Sequence, residues 1–181
     1  MAVYSVVLPD STILKRVAGM KSVLLVGCTG CLNDALGFHT DLPLAKVIVD
    51  ENTGTTNCLP ILVDEEIERI SRLLESNGLS AKAESMVPIC EISFMTEPFI
   101  SKLAKNSIDA DAIISISCNV GTLALKKQLG KVFKIITATK TLGVFQPSKF
   151  LSESRDFVYL DKTKSTILKF NVQQFAGEGS D

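Results

Sequence analysis

The chain has no tryptophan, only two tyrosines and a single histidine, His39. Proteins that read nucleic acid interleave cations with stacking rings. Aromatics make up 6% of this sequence and no such interleaving occurs, so nucleic-acid binding has no support. A lone histidine with no serine and acid arranged around it leaves little room for a Ser/His/Asp or Cys/His hydrolase. No apolar run approaches the ~18 residues of a membrane span. Residues 1–10 also lack the basic start and long apolar stretch of a signal peptide, because the apolar run 3–8 stops at Pro9. These absences predict a cytoplasmic protein with no membrane partner.

In that compartment thiols stay reduced, so the five cysteines argue for metal or redox chemistry over structural disulfides. An odd count fits a disulfide framework poorly. The length of 181 residues, 46% of them hydrophobic, suffices for one complete core, and no repeat or linker divides the chain.

The net charge of −1 hides an asymmetry. Residues 41–97 carry eleven acidic and four basic side chains, a balance of −7, and residues 101–169 carry twelve basic and five acidic, a balance of +7. Such a dipole can steer a charged partner. Lys126, Lys127 and Lys131, however, sit at the end of a predicted helix, where cations suit the macrodipole.

Periodicity predicts a helix over 11–18 with Asp10 or Ser11 as N-cap, and Gly19 as its stop. The unbroken apolar run 22–27, S-V-L-L-V-G, reads as a parallel strand covered on both faces. A helix over 65–76 follows, capped by Asp64, with Ile67, Ile70, Leu73 and Leu74 as its buried stripe. Strand 83–88, a helix near 98–106, strand 112–117, a helix near 121–129 and strand 132–138 then alternate as βαβ units. The predicted fold is α/β, a flavodoxin-like or Rossmann-like three-layer sandwich with a parallel sheet of about four strands and a core over about 9–145. Two segments break the rhythm. Residues 36–63, with Asn52-Thr53-Gly54 between two apolar runs, read as a hairpin or an excursion over the sheet edge. Residues 156–172 read as a C-terminal hairpin, and 177–181 as a frayed end.

Four cysteines fall where such a sheet would gather them. Cys28 and Cys31 form a C-x-x-C directly after the first buried strand; Cys90 follows the second and Cys118 ends the third. In an open α/β sheet, sites form in the crevice at the carboxyl ends of the strands. A two-residue spacer lets both sulfurs face one ion, and Gly30 lets the backbone turn around it. Taken together, Cys28, Cys31, Cys90 and Cys118 complete either a tetrahedral zinc site or a 4Fe–4S iron–sulfur cluster. Cys58, in the excursion, is either an additional thiol over the same pocket or a packing residue. Two other chemistries stay open: a dithiol oxidoreductase using Cys28 and Cys31, and a phosphate-binding module using Thr29, Asn33 and a helix start. No catalytic residue is assigned. The full G-x-G-x-x-G dinucleotide loop is missing after Gly27, and Glu65, Glu66 and Glu68 complement a helix dipole.

Several of these segments resemble the metal-binding domain associated with methylenetetrahydrofolate reductase, a family that includes the small iron–sulfur partner subunit of the bacterial flavin enzyme. The resemblance runs through L-L-V-G-C-T-G-C (24–31), the lone Cys90, A-D-A-I-I-S-I-S-C-N-V-G (110–121) and T-K-T-L-G (139–143), as islands between about Pro9 and Phe145. It implies a zinc or iron–sulfur centre on the four cysteines, and a role in electron transfer or scaffolding beside a flavin-dependent reductase or other redox partner. Ala35 stands where the family often carries a further cysteine, and no cysteine follows Gln146. What the resemblance implies here is therefore a single site.

Overall fold

In the computed structural model, which describes residues 1–86, 89–90 and 97–170, the chain opens with β1 (Ala2–Val7), α1 (Asp10–Arg16), β2 (Ser22–Cys28) and α2 (Cys31–Gly37). A hairpin of β3 (Ala45–Val49) and β4 (Thr56–Pro60) leads to α3 (Leu62–Ser76), β5 (Ser80–Met86), α4 (Glu97–Asn106), β6 (Ala112–Ile116) and α5 (Asn119–Leu129). The last five described strands follow: β7 (Ile135–Thr137) and β8 (Thr139–Gln146), separated by Ala138, then β9 (Lys149–Leu151), β10 (Phe157–Leu160) and β11 (Thr166–Lys169). Among the described residues no helix is long and apolar enough to cross a membrane.

The apolar runs form a parallel sheet in the order β5-β2-β6-β7. Val23 and Leu25 of β2, with Ala112, Ile114 and Ile116 of β6, pack against Ile13 of α1 and Val63, Ile67, Ile70 and Leu74 of α3. Leu24, Val26 and Cys28 point the other way, with Ile113, onto Leu103 of α4 and Leu125 and Leu129 of α5. Cover on both faces explains why neither strand alternates, and each fully buried Leu or Ile contributes about 1.5–3 kcal/mol. Gly27 permits the closest approach of α3. A Cβ there would overlap Ile67 and lie 2.9 Å from a Val63 methyl.

The connections out of β2 and β6 leave in opposite directions. The chain from β2 reaches β5 on one side, returns across β2 to β6, and continues outward to β7. The carboxyl ends of β2 and β6 therefore flank the topological switch point, the crevice that α/β sheets use for binding.

The rest of the architecture overturns the expected flavodoxin-like or Rossmann-like sandwich. Two antiparallel sheets accompany the parallel one, β1-β8-β11 and β4-β3-β10-β9. The N-terminal run 3–8 lies within and just beyond β1, which pairs along β8 from Ala2–Phe145 to Val7–Thr139. The 36–63 segment does form a hairpin, with Val47 opposite Cys58, but it belongs to its own sheet. The expected C-terminal hairpin over 156–172 is absent. β10 pairs with β3 and β9, and β11 pairs with β8. Between them the Asp161 carboxylate accepts the N–H groups of Thr163 and Lys164 at 3.1 and 3.2 Å, and this turn sends the two strands to different sheets. Pro88 and residues 171–181, including the end read as frayed, lie outside the described residues.

Helix starts also differ from the sequence reading. α1 begins after Pro9, and the Asp10 carboxylate pairs with Arg69 at 2.8 Å. α3 begins at Leu62, upstream of Asp64, because Asn33 supplies an acceptor from α2. Its Oδ1 takes the Val63 N–H at 3.3 Å while its Nδ2 donates to the Leu44 carbonyl at 2.9 Å.

Candidate functional site

Parallel register brings the strand ends level. Gly27 pairs with Ile116 and Cys28 with Met86. Cys28 thus closes β2, Cys31 opens α2 after Thr29-Gly30, and Cys118 is the N-cap residue of α5. Cys90 lies with Ile89 in a short 3₁₀ turn beyond β5. Cys28 and Cys118 are buried, Cys31 is partly exposed and Cys90 is exposed.

These four thiols interact in series. Cys28 feels the charges of Cys90 and Cys31, and Cys31 and Cys118 act on each other's ionisation through their side chains. Backbone amides converge on the same sulfurs. Ile89 N–H donates to the Cys28 sulfur at 3.3 Å, with Gly30 N–H adding to it. Val3 N–H, from β1, serves Cys31. The N–H groups of Gly121 and Val120 favour a thiolate on Cys118 without completing a strict cap bond.

The charge states follow from those partners. Burial pushes the Cys28 thiol up, against the pull of the Ile89 and Gly30 amides. The Cys118 side chain brings Cys31 down to about 6, with burial opposing and Val3 N–H assisting. The same shared proton, together with burial, pushes Cys118 well above the ordinary thiol range. A thiolate on Cys31 held by a thiol on Cys118 is the arrangement this geometry favours.

A hydroxyl network braces the crevice from beneath. Ser115 and Ser117 lie 2.7 Å apart, and Thr122 of α5 joins them at 3.0 and 3.2 Å. Thr139 donates to the Ser117 carbonyl. The two serines are fully buried, and Gly121 keeps α5 close, since a Cβ there would stand 2.8 Å from Ser117 Oγ. These residues escaped the sequence reading. The available signal was S-I-S interrupting an otherwise apolar strand, a polar pair that burial requires to be bonded.

The remaining sequence candidates sit elsewhere. Cys58 is exposed on edge strand β4 and takes no part in the contacts above. His39 follows α2 and meets the Tyr4 hydroxyl at 3.0 Å, beside an edge-to-face cluster of Tyr4, Phe38 and Phe145. Asn33, a candidate phosphate ligand, is buried with both ends of its amide engaged by backbone. A cavity of about 450 Å³ between α2 and α3, along Leu36, Glu66 and Arg69, borders no cysteine.

The donor set consists of soft thiols, the ligand type that selects zinc or iron–sulfur clusters. Its spacing is open. Among the described residues no three cysteine, histidine or acidic side chains stand close enough to enclose a single ion. The chain Cys90–Cys28–Cys31–Cys118 suits a group that spreads its ligands over several metal atoms better than one tetrahedral ion. No family model, curated protein or solved structure matches this chain.

Proposed function

We propose that Cys28, Cys31, Cys90 and Cys118 hold one thiolate-ligated centre, a 4Fe–4S cluster in preference to zinc. The carrying observation is the placement of the four thiols at the strand ends around the switch point between β2 and β6, near enough to shift one another's ionisation. A bound cluster would supply one-electron transfer. The protein's own contribution is electrostatic. Peptide N–H groups of Ile89, Gly30, Val3, Val120 and Gly121 offset the negative charge of the thiolates, and hydrogen bonds of this kind tune metal–thiolate sites. The hydroxyl network beneath Cys118 holds that ligand's backbone in place.

The resemblance of 24–31 and 110–121 to the methylenetetrahydrofolate reductase-associated domain supports a place for the protein in one-carbon metabolism. There it would act in the cytoplasm as an electron-transfer or scaffold partner of a flavin-dependent reductase. Anaerobic purification tests the centre. We expect a brown protein carrying about four iron and four sulfide per chain, lost in Cys28→Ser and Cys118→Ser. A colourless protein with neither iron nor zinc in stoichiometric amount overturns the proposal.

A further inference from the structure

Among the described residues six strands stand at sheet edges, and five of them are blunted. β7 and β9 have three residues each. β5 carries Lys82 and Glu84, β11 ends on Lys169, and β1 keeps Tyr4 and Ser5 buried. Charge, shortness and cover are the devices by which proteins stop edges from pairing with other chains. β4 has none of them. It lies in a run of twelve uncharged residues, 52–63, and Thr56, Asn57, Cys58 and Leu59 are all exposed.

The register shows which backbone groups β4 turns outward. Asp50 N–H donates to the Thr55 carbonyl at 2.9 Å, and Val47 N–H to the Asp156 carbonyl at 2.7 Å, away from β4. Val47 stands opposite Cys58 and Val49 opposite Thr56. The hydrogen-bonded pairs between β3 and β4 are therefore Lys46–Leu59 and Ile48–Asn57, which alternate with the others. The N–H and C=O groups of Thr56 and Cys58 point away from β3, along the open edge. The hairpin holds that edge in place, since the Asp50 carboxylate accepts the N–H groups of Asn52 and Thr53 at 2.9 and 3.3 Å. Leu59 and Ile48 are exposed on one face beside it and Val49 on the other.

We propose that β4 pairs antiparallel with β4 of a second copy of this chain, about a two-fold axis at Asn57. The occupant is the same strand because the exposed pattern is self-complementary. A half-turn about Asn57 sets Thr56 against Cys58 of the other copy, and every N–H and C=O of the two residues finds a partner. An axis at Cys58 would instead set Thr56 against Pro60, which has no N–H to return. The pairing joins the two four-stranded sheets β4-β3-β10-β9 through their β4 edges. It also takes Leu59 and Ile48, exposed in the single chain, toward apolar neighbours. The contact uses the same edge on both copies, so it closes at two. None of the thiols assigned to the metal centre lies in this surface, and the pairing stands or falls apart from that reading.

Analytical ultracentrifugation of the full-length protein over a dilution series measures the mass, and residue-resolved amide exchange reports on the edge. Concentrated protein should sediment with twice the mass of one chain. The amides of Asn57 and Leu59, bonded to β3, should be protected in monomer and dimer alike. Those of Thr56 and Cys58 should be protected only in the dimer. Cys58→Pro removes an outward N–H without touching a bond to β3, and should sediment as a monomer with unchanged far-UV circular dichroism. Should that variant fail to fold, Thr56→Lys, which places a charge on the edge, should give the same monomer. A monomer at every concentration overturns the inference. So does a dimer whose Thr56 and Cys58 amides exchange freely, protection of those amides in a monomer, or growth beyond two copies.

Discussion

The peptide N–H of Ile89 donates to the sulfur of Cys28 at 3.3 Å, joining the end of β2 to the turn that carries Cys90. Both partners are buried, so the amide has no water to turn to if the sulfur is removed.

Cys28→Ala should therefore destabilise metal-free protein by about 1–3 kcal/mol, the cost of a buried unsatisfied donor. Cys58→Ala, at an exposed edge position, should stay within about 0.5 kcal/mol. Urea unfolding measures both, and equal losses would contradict the role given to the Ile89 contact.

Asn33 ties three segments together through one amide, bonding the Leu44 carbonyl and the Val63 N–H. Asn33→Leu fills similar volume but strands both backbone groups. A loss of about 2–4 kcal/mol is expected, on the order of one to three per group. Hydrogen exchange should show the opening concentrated at the start of α3. A loss spread evenly over the chain would argue against the distant cap.

The thiol pair makes stability and reactivity depend on pH. Cys31 titrates near 6, below the ordinary thiol value of 9.0, so its contribution is complete above that ordinary value and is lost as pH falls through about 6. Cys28 and Cys118 are raised, so their contributions hold below the ordinary value and fade as pH climbs past it. The combined thiol contribution should rise between pH 6 and 9 and decline beyond. In metal-free protein, alkylation of Cys31 should reach half its maximal rate near pH 6, and Cys118→Ala should move that midpoint upward. An unmoved midpoint would separate the two residues.

Removing a bound metal should not unfold the protein. Small zinc domains draw on the order of 10 kcal/mol of folding free energy from their metal, but here the apolar packing on both faces of the parallel sheet supplies a core. Chelation should leave far-UV circular dichroism nearly unchanged while amides at 28–31 and 117–120 lose exchange protection. Retained protection there would mean that the protein alone orders these ends.

Much of the parallel sheet was legible in the sequence. The runs 22–27 and 112–117 are apolar without alternation because helices cover both faces, and the stripe in α3 has the helical period. The placement of cysteines after those runs could likewise be read directly, since a strand's end and the direction it points are local properties. Partners distant in sequence were not legible. β1 pairs with β8, and β10 and β11, adjacent in the chain, part to separate sheets. Local periodicity says that a segment is extended but not which edge it meets.

The C-x-x-C illustrates the same boundary. Composition and spacing by themselves placed Cys28 and Cys31 directly after one buried strand. Only the tertiary structure decided that Cys31 falls under the influence of Cys118 while Cys28 accepts the Ile89 N–H. Sulfur contacts depend on how β6 lies beside β2 and how α5 leaves it, and those are set by packing between elements that the chain connects only at long range.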